Sequence, residues 1–329
     1  MPSGTAAASG PSRSITPAVT RVTVDEGSEG QRLDNFLIKL LKGVPKTHVY
    51  RVIRSGEVRV NKGRAQADTR LNLGDEVRVP PVRVADRSDD PPAPPREFPV
   101  VFEDDHLLVI DKPAGVAVHG GSGVSFGVIE QLRQARPTAK FLELIHRLDK
   151  ETSGLLMIAK KRSALLALQE QFRQRETGKT YAALVLGAWP ASKKVIDTPL
   201  HKFLTADGER RVKAVSESNE DGRRSITLVK VVSLFDQFSL LDVTIKTGRT
   251  HQIRVHLLSV GHAIAGDEKY GDELINHALS KGSAVPGIKF KRMFLHARRL
   301  RFEHPATAEV IELQASLPPE CQQLLDALK

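Results

Sequence analysis

The chain has 329 residues, 40% apolar and 27% charged, which suits a globular protein with room for two domains, and no apolar run approaches the roughly 20 residues of a membrane-spanning helix. Its only cysteine, Cys321, excludes an internal disulfide and a cysteine zinc site. Lys and Arg number 49 against 39 Asp and Glu, a formal charge of +10 that favours a polyanionic partner such as nucleic acid.

Residues 1–18 are small, polar and broken by Pro and Gly, so they bury too little apolar surface to offset the entropy of ordering. They read as a disordered tail. With neither an arginine-rich amphipathic stretch nor a secretory apolar core, a cytoplasmic protein is expected. From Gln31, Leu33, Phe36, Leu37, Leu40 and Leu41 recur on one helical face, and the helix stops at Gly43 before Pro45. A second short helix, capped by Thr47, turns Val49, Val52 and Ile53 inward and closes at Gly56. Val58-Arg59-Val60, the Asn61-Lys62-Gly63 turn and a strand from Glu76 to Pro80 complete a small unit over 19–80.

The outward positions of this unit are basic: Lys39, Lys42, Lys46, Arg51, Arg54, Arg59, Lys62 and Arg64. A solvated charged face would account for such a set. However, Arg32-Leu33-Asp34 at the helix start, Gly56-Glu57-Val58-Arg59-Val60-Asn61 and the Gly74-Asp75 turn together resemble the S4 RNA-binding domain. That resemblance implies a grip on phosphates and 2′-hydroxyls of structured RNA, with Lys39, Lys46, Arg51, Arg54, Arg59 and Lys62 as contacts.

Residues 81–98 are proline-rich without apolar periodicity, a linker composition that separates the first unit from a body over 99–329. Val100 to Ile110 reads as two strands around a polar turn, followed by Asp111-Lys112-Pro113-Ala114-Gly115. The segment from Asp111 to His119 is expected to brace a neighbouring loop, rather than to touch a ligand through Lys112 or His119. Helix-like runs at Gly127 to Arg133 and Ser163 to Arg173 alternate with strands, giving an α+β body with a mixed, mostly antiparallel β-sheet flanked by helices.

Between the apolar runs Phe141–Ile145 and Leu155–Ala159 lies His146-Arg147-Leu148-Asp149-Lys150-Glu151-Thr152-Ser153-Gly154, a charge-dense loop held by scaffold on both sides. Read locally, Asp149 could merely cap the turn and Arg147 merely pair at the surface. The unbroken stretch from His146 to Leu155 nevertheless resembles the signature of the RluA-type pseudouridine synthases, which implies that Asp149 is the catalytic carboxylate.

Lys179-Thr180-Tyr181 opens a strand; a packed ring with a rim hydroxyl is the ordinary explanation for such a tyrosine, whereas the resemblance implies stacking on the target base. Residues 200–224 form a basic, turn-rich insertion. Next, Thr247-Gly248-Arg249-Thr250-His251-Gln252-Ile253-Arg254-Val255-His256 crowds arginines and histidines at the start of a helix capped by Thr250 and ending near Val260. By resemblance Arg254 pairs with Asp149, Ile253 packs beside it and Arg147 fills the stack that a flipped uridine vacates. Gly266 to Gly271 and Leu295-His296-Ala297 also match the family's closing segments. His251 and His256 lie five residues apart, the wrong spacing for metal ligands on one helical face, so no metal is expected.

The reaction thus implied is an isomerisation, which needs neither redox cofactor nor nucleotide, and no dinucleotide-binding or phosphate-loop glycine motif is present. The domain order and Pro80-Pro81-Val82-Arg83-Val84 look most like family members that act on large-subunit ribosomal RNA, which implies that RNA as partner, no cofactor, no membrane and a monomer. Three alternatives stay open: an inactive ribosome-assembly factor using the same surfaces, a synthase acting on another large-subunit helix, and a glycosylase that would release free uracil.

Overall fold

In the computed structural model the described residues are 13–15, 18–25, 27–41, 43–85, 92–121, 125–206 and 208–329. The chain divides into two compact units, Met1–Pro92 and Ala93–Lys329.

The first unit contains β1 (Arg13–Ile15), β2 (Thr20–Thr23), α1 (Leu33–Leu40), α2 (Lys46–Arg54), β3 (Arg59–Val60), β4 (Gly63–Arg64), β5 (Glu76–Val79) and β6 (Arg83–Ala85). Four strands pair in the order β2-β5-β3-β4, and the two helices close the sheet over one core built on Leu33, Leu37, Val49, Val52, Leu71 and Val77. The β3–β4 hairpin turns through Asn61 and Lys62, both left-handed at φ 49° and 68°, as a two-residue turn between twisted strands demands. Two expectations are corrected. Helix α2 starts after Pro45 rather than at a Thr47 cap, and its first turn has no side-chain cap. Residues 13–15, placed by composition in the disordered tail, form β1, which pairs antiparallel with β6 inside the stretch read as linker. The remainder of the tail up to residue 12, with residues 86–91 of that linker and Lys42 of the basic set, lies outside the described residues.

The second unit runs through β7 (Val100–Glu103), β8 (Leu107–Lys112), α3 (Val128–Ala135), β9 (Glu143–Leu144), β10 (Ser153–Ala159), α4 (Arg162–Gln174), β11 (Gly178–Leu186) and β12 (Val195–Asp197). It continues with β13 (Leu200–Leu204), β14 (Arg210–Ala214), β15 (Ile226–Leu234), β16 (Phe238–Ile245), α5 (Gln252–Ser259), α6 (Glu273–Lys281), β17 (Leu295–Glu303), β18 (Val310–Gln314) and α7 (Pro319–Ala327). The main sheet orders these strands β12-β15-β16-β11-β17-β10-β8-β7, with β18 on β17 and β9 on β10. All its pairings are antiparallel except β10 with β17. The sheet is therefore mixed and mostly antiparallel.

Side chains of its central strands alternate between two cores, as the period of two requires. Leu156 and Ile158 of β10 join Ala183 and Val185 of β11 and α3's Val128 and Leu132 on one face, whereas Leu155 and Met157 pack with α4's Leu165 and Leu168 on the other. Every residue of β10 is buried, so the strand following the charged loop is rigidly held. Gly154 makes the tightest approach there: at φ 108° it pairs with Ala297 of β17, and a Cβ would lie 2.4 Å from the Ala297 carbonyl oxygen. The basic insertion over 200–224 contains a regular hairpin, β13 with β14.

Candidate active site

The loop before β10 is fixed from both ends. His146 accepts a hydrogen bond from the Met157 amide through Nε2 at 3.2 Å and stacks on Phe172 with ring centres 5.1 Å apart. Burial, with the Lys179 charge second, pushes its pKa down to about 3, so the ring stays neutral and acts as an acceptor. From below, the fully buried Lys112 ammonium donates to the carbonyls of Pro113 and Val116 at 2.8 Å and of Lys150 at 3.0 Å. Burial lowers its pKa to about 7, while three carbonyl dipoles supply the partners that a buried ammonium requires. The Gly115 amide donates to the same Lys150 carbonyl at 2.9 Å. Lys112 thus braces the residue that follows Asp149.

Asp149 faces a guanidinium from α5. Arg254 Nη1 lies 3.3 Å from Asp149 Oδ2, and the same group forms a two-pronged pair with Asp267, Nε to Oδ2 and Nη2 to Oδ1, both 2.7 Å. Burial alone would lower the Arg254 pKa, but the bonds and charge of Asp267, then of Asp149, hold it above its ordinary value. Asp267 in turn is kept below the usual carboxylate range: burial opposes its ionisation, and the Arg254 bonds more than compensate. Backbone amides of Lys269 and Tyr270 also donate to Asp267 Oδ1, at 2.9 and 3.1 Å. A permanently charged arginine is consequently aimed at Asp149 by a buried partner.

Helix α5 starts differently from the expected Thr250 cap. His251 is the residue before the helix, in a left-handed conformation at φ 53°, without a side-chain cap. Order comes instead from Gln252, whose carbonyl oxygen accepts from Thr247 Oγ1 at 2.8 Å and the Arg249 amide at 3.1 Å, and whose amide donates to Ile226 O and Thr227 Oγ1. This buried glutamine ties the loop to β15.

Around Asp149 opens a cleft of about 1100 Å³, lined by Arg147, Tyr181, His251, Ile253, Arg254 and Lys269 among others. Tyr181, Ile253 and Leu148 belong to one buried cluster beneath it. Burial, and secondly the Asp149 charge, pushes the Tyr181 phenol well above its ordinary pKa, so it faces the cleft as a neutral phenol. Arg147 is exposed at the rim. The predicted set Asp149, Arg254, Tyr181, Arg147 and Ile253 therefore shares one cleft.

The basic set occupies the first unit. Lys39, Lys46, Arg51, Arg54 and Lys62 are exposed and Arg59 is half-buried. Tyr50, 39% exposed on α2 among these cations, was not singled out from the sequence; its hydroxyl donates to Asp34 at 3.2 Å. Asp267 and Tyr270 were noted in the sequence only as parts of a matching segment, without roles, because nothing local links them to Arg254. His256 and His262 are engaged with protein groups, His256 with Thr227 Oγ1 and Thr198 O and His262 with Leu186 O.

A family model described as RNA pseudouridylate synthase matches residues 106–259, and an S4 domain model matches 31–77. The chain is 47% identical over 321 residues to the ribosomal large subunit pseudouridine synthase C of Pasteurella multocida, covering 96% of this chain and 95% of that protein. The protein of the same name from Yersinia pestis is 49% identical over 95% of this chain and 97% of its own length. For Escherichia coli the identity is 46%, over 95% and 98%. Among solved structures, human RNA Pseudouridylate Synthase Domain Containing 4 superimposes with a TM-score of 0.56 at 27% identity, covering 70% of this chain and 92% of that one. Human RNA Pseudouridylate Synthase Domain Containing 1 gives 0.54 at 27%, covering 70% and 94%.

Proposed function

The chain belongs to the RNA pseudouridylate synthase family, and on that premise we propose that it converts specific uridines of large-subunit ribosomal RNA to pseudouridine with Asp149 as the catalytic carboxylate. The observation that carries the assignment of the residue is the Asp149–Arg254 contact at 3.3 Å, with Arg254 itself held by Asp267.

In the reaction the ribose C1′ to uracil N1 bond breaks, the base turns, and C1′ joins C5; N1 gains a proton and C5 loses one, so nothing is consumed. A carboxylate beside C1′ assists departure of the uracil, either by bonding to C1′ or by taking a proton from the sugar. Arg254 sets a fixed positive charge 3.3 Å from that carboxylate, so the anion has a partner as the bound nucleotide displaces water. Tyr181 offers a buried ring face beside Asp149, suited to stacking on the extruded base. Extrusion of a uridine costs a few kcal/mol, and refilling the gap in the stack is a role that suits the exposed guanidinium of Arg147, which lines the cleft. The basic face of α1 and α2 supports phosphate binding by the S4 unit. A monomeric cytoplasmic enzyme acting without a cofactor fits this reading, and among the described residues no helix is long and apolar enough to cross a membrane.

The test is to incubate the purified chain with large-subunit ribosomal RNA free of modifications and to map pseudouridine by carbodiimide-stopped reverse transcription. Discrete stops that vanish with Asp149→Asn while RNA binding persists are the expected result. Binding without stops in the wild type favours the assembly-factor reading, and release of free uracil favours a glycosylase.

A further inference from the structure

His251 stands beside Asp149 in the cleft, held in a way that the pairing of Asp149 with Arg254 does not require. Its Nδ1 lies 2.8 Å from the Tyr270 hydroxyl, and that hydroxyl already accepts the Val212 amide at 3.0 Å. Among the described residues no other acceptor for the Tyr270 proton occurs, so the phenol donates to Nδ1 and the imidazole carries its hydrogen on Nε2. The two rings meet edge to face with centres 5.4 Å apart, which fixes the plane of the imidazole. Nε2 then sits 4.0 Å from Asp149 Oδ2, too far for a direct hydrogen bond.

A donor and an acceptor at that separation accommodate one hydroxyl between them. With ordinary hydrogen-bond lengths to each side, the angle at the bridging oxygen is about 90°, within what a hydroxyl tolerates while it accepts from one partner and donates to the other. A carboxylate that works at C1′ has the 2′-hydroxyl as its nearest ribose neighbour. We propose that His251 is a substrate-contacting residue that, together with Asp149, brackets the 2′-hydroxyl of the target uridine and makes the site selective for ribose over deoxyribose. The inference rests on the function proposed above. The left-handed backbone at His251 aims the ring: at φ 53° the side chain leaves the start of α5 toward the cleft, and His and Asn are among the residues that tolerate this conformation.

The experiment uses splint-ligated fragments of large-subunit ribosomal RNA that contain a uridine modified by the wild type, with either uridine or 2′-deoxyuridine at that single position. The kcat/KM for each is measured with the wild type, with His251→Asn, which keeps the left-handed backbone but is too short to reach the hydroxyl, and with Tyr270→Phe, which removes the donor to Nδ1. In the wild type the deoxy substitution is expected to lower kcat/KM by about tenfold or more, the loss of a hydrogen bond made in the transition state. In His251→Asn the same substitution should matter less than about threefold, and in Tyr270→Phe the penalty should fall between the two. An equal deoxy penalty in all three proteins overturns the role of His251. If His251→Asn does not fold, the Tyr270→Phe comparison decides alone. Absence of modification of the ribose fragment by the wild type would instead overturn the functional reading on which the inference stands.

Discussion

Arg254 and Asp267 form a two-pronged buried ion pair, both bonds 2.7 Å, with Asp267 only 1% exposed, and the remaining nitrogen of the same guanidinium reaches Asp149. The geometry makes Asp267 the residue that aims Arg254. Removing one member of a buried pair leaves an uncompensated charge and costs about 3–5 kcal/mol. Asp267→Ala should therefore lower the urea midpoint substantially and, at temperatures where the protein remains folded, reduce kcat more than it raises KM. Arg254→Lys, which keeps a charge but loses the fork, should lose activity to a similar extent. A wild-type kcat for folded Asp267→Ala would show that Arg254 finds its position without it.

Lys112 offers a test through pH. Its pKa is lowered by burial to about 7, whereas an unfolded lysine titrates near 10.5. Between these values the unfolded chain binds more protons than the folded one, so the contribution of this group to stability rises with pH from about 7 to 10.5 and is absent below 7. Lys112→Met should remove that rise from the urea midpoint measured at pH 7 and 9. It should also lower kcat, by up to about 10²-fold, because the Lys150 carbonyl next to Asp149 loses its ammonium brace. An unchanged pH slope in Lys112→Met would assign the rise to other groups.

The elements legible in the sequence are those governed by short-range periodicity. Helices α1, α2 and α4 each bury one apolar stripe, and β10 and β11 read as buried strands. Helix α5 buries Gln252, Arg254 and His256 together with Ile253, Val255 and Leu257, so its sequence has no polar face to mark it, and its start was assigned to Thr250 on cap preference alone. The cap failed because the Gln252 side chain satisfies the loop from inside the helix, a contact with β15 some 25 residues away. Phe141–Ile145 looked like a full strand, yet only Glu143–Leu144 pairs, since beyond it the chain must bend to present the loop. The site residues came from a motif, whereas Asp267 and Tyr270 depend on a loop 13 and more residues past Arg254 folding back, which no local pattern encodes.

Gly154 lies where the loop that carries Asp149 enters β10, at the one parallel contact of the sheet among the described residues. A methyl group there would meet the Ala297 carbonyl oxygen at 2.4 Å with φ already at 108°, so both space and backbone exclude it. Gly154→Ala must push β10 from β17 and carry the loop with it. A loss of several kcal/mol in urea unfolding is expected, or failure to accumulate folded protein. Gly121→Ala, which meets nothing within 4 Å, is the matched control and should behave as wild type in stability. Comparable midpoints for the two variants would refute the tight approach.

The basic face of the first unit predicts a salt dependence. On α2, Lys46, Arg51 and Arg54 are exposed while Val49, Val52 and Ile53 are buried, so the cations project without being consumed by the core. If each neutralises one phosphate, the slope of log affinity against log salt should fall by about 0.7–0.9 per residue replaced by Ala, with little change in stability. The triple variant should thus lose about two to three units of slope and bind far more weakly at low salt, while kcat at saturating RNA stays near wild type because Asp149 and Arg254 are untouched. Filter binding over a salt series measures the slope. A triple variant with the wild-type slope would mean that this face meets water rather than RNA, and that the phosphates are held by the cations lining the cleft.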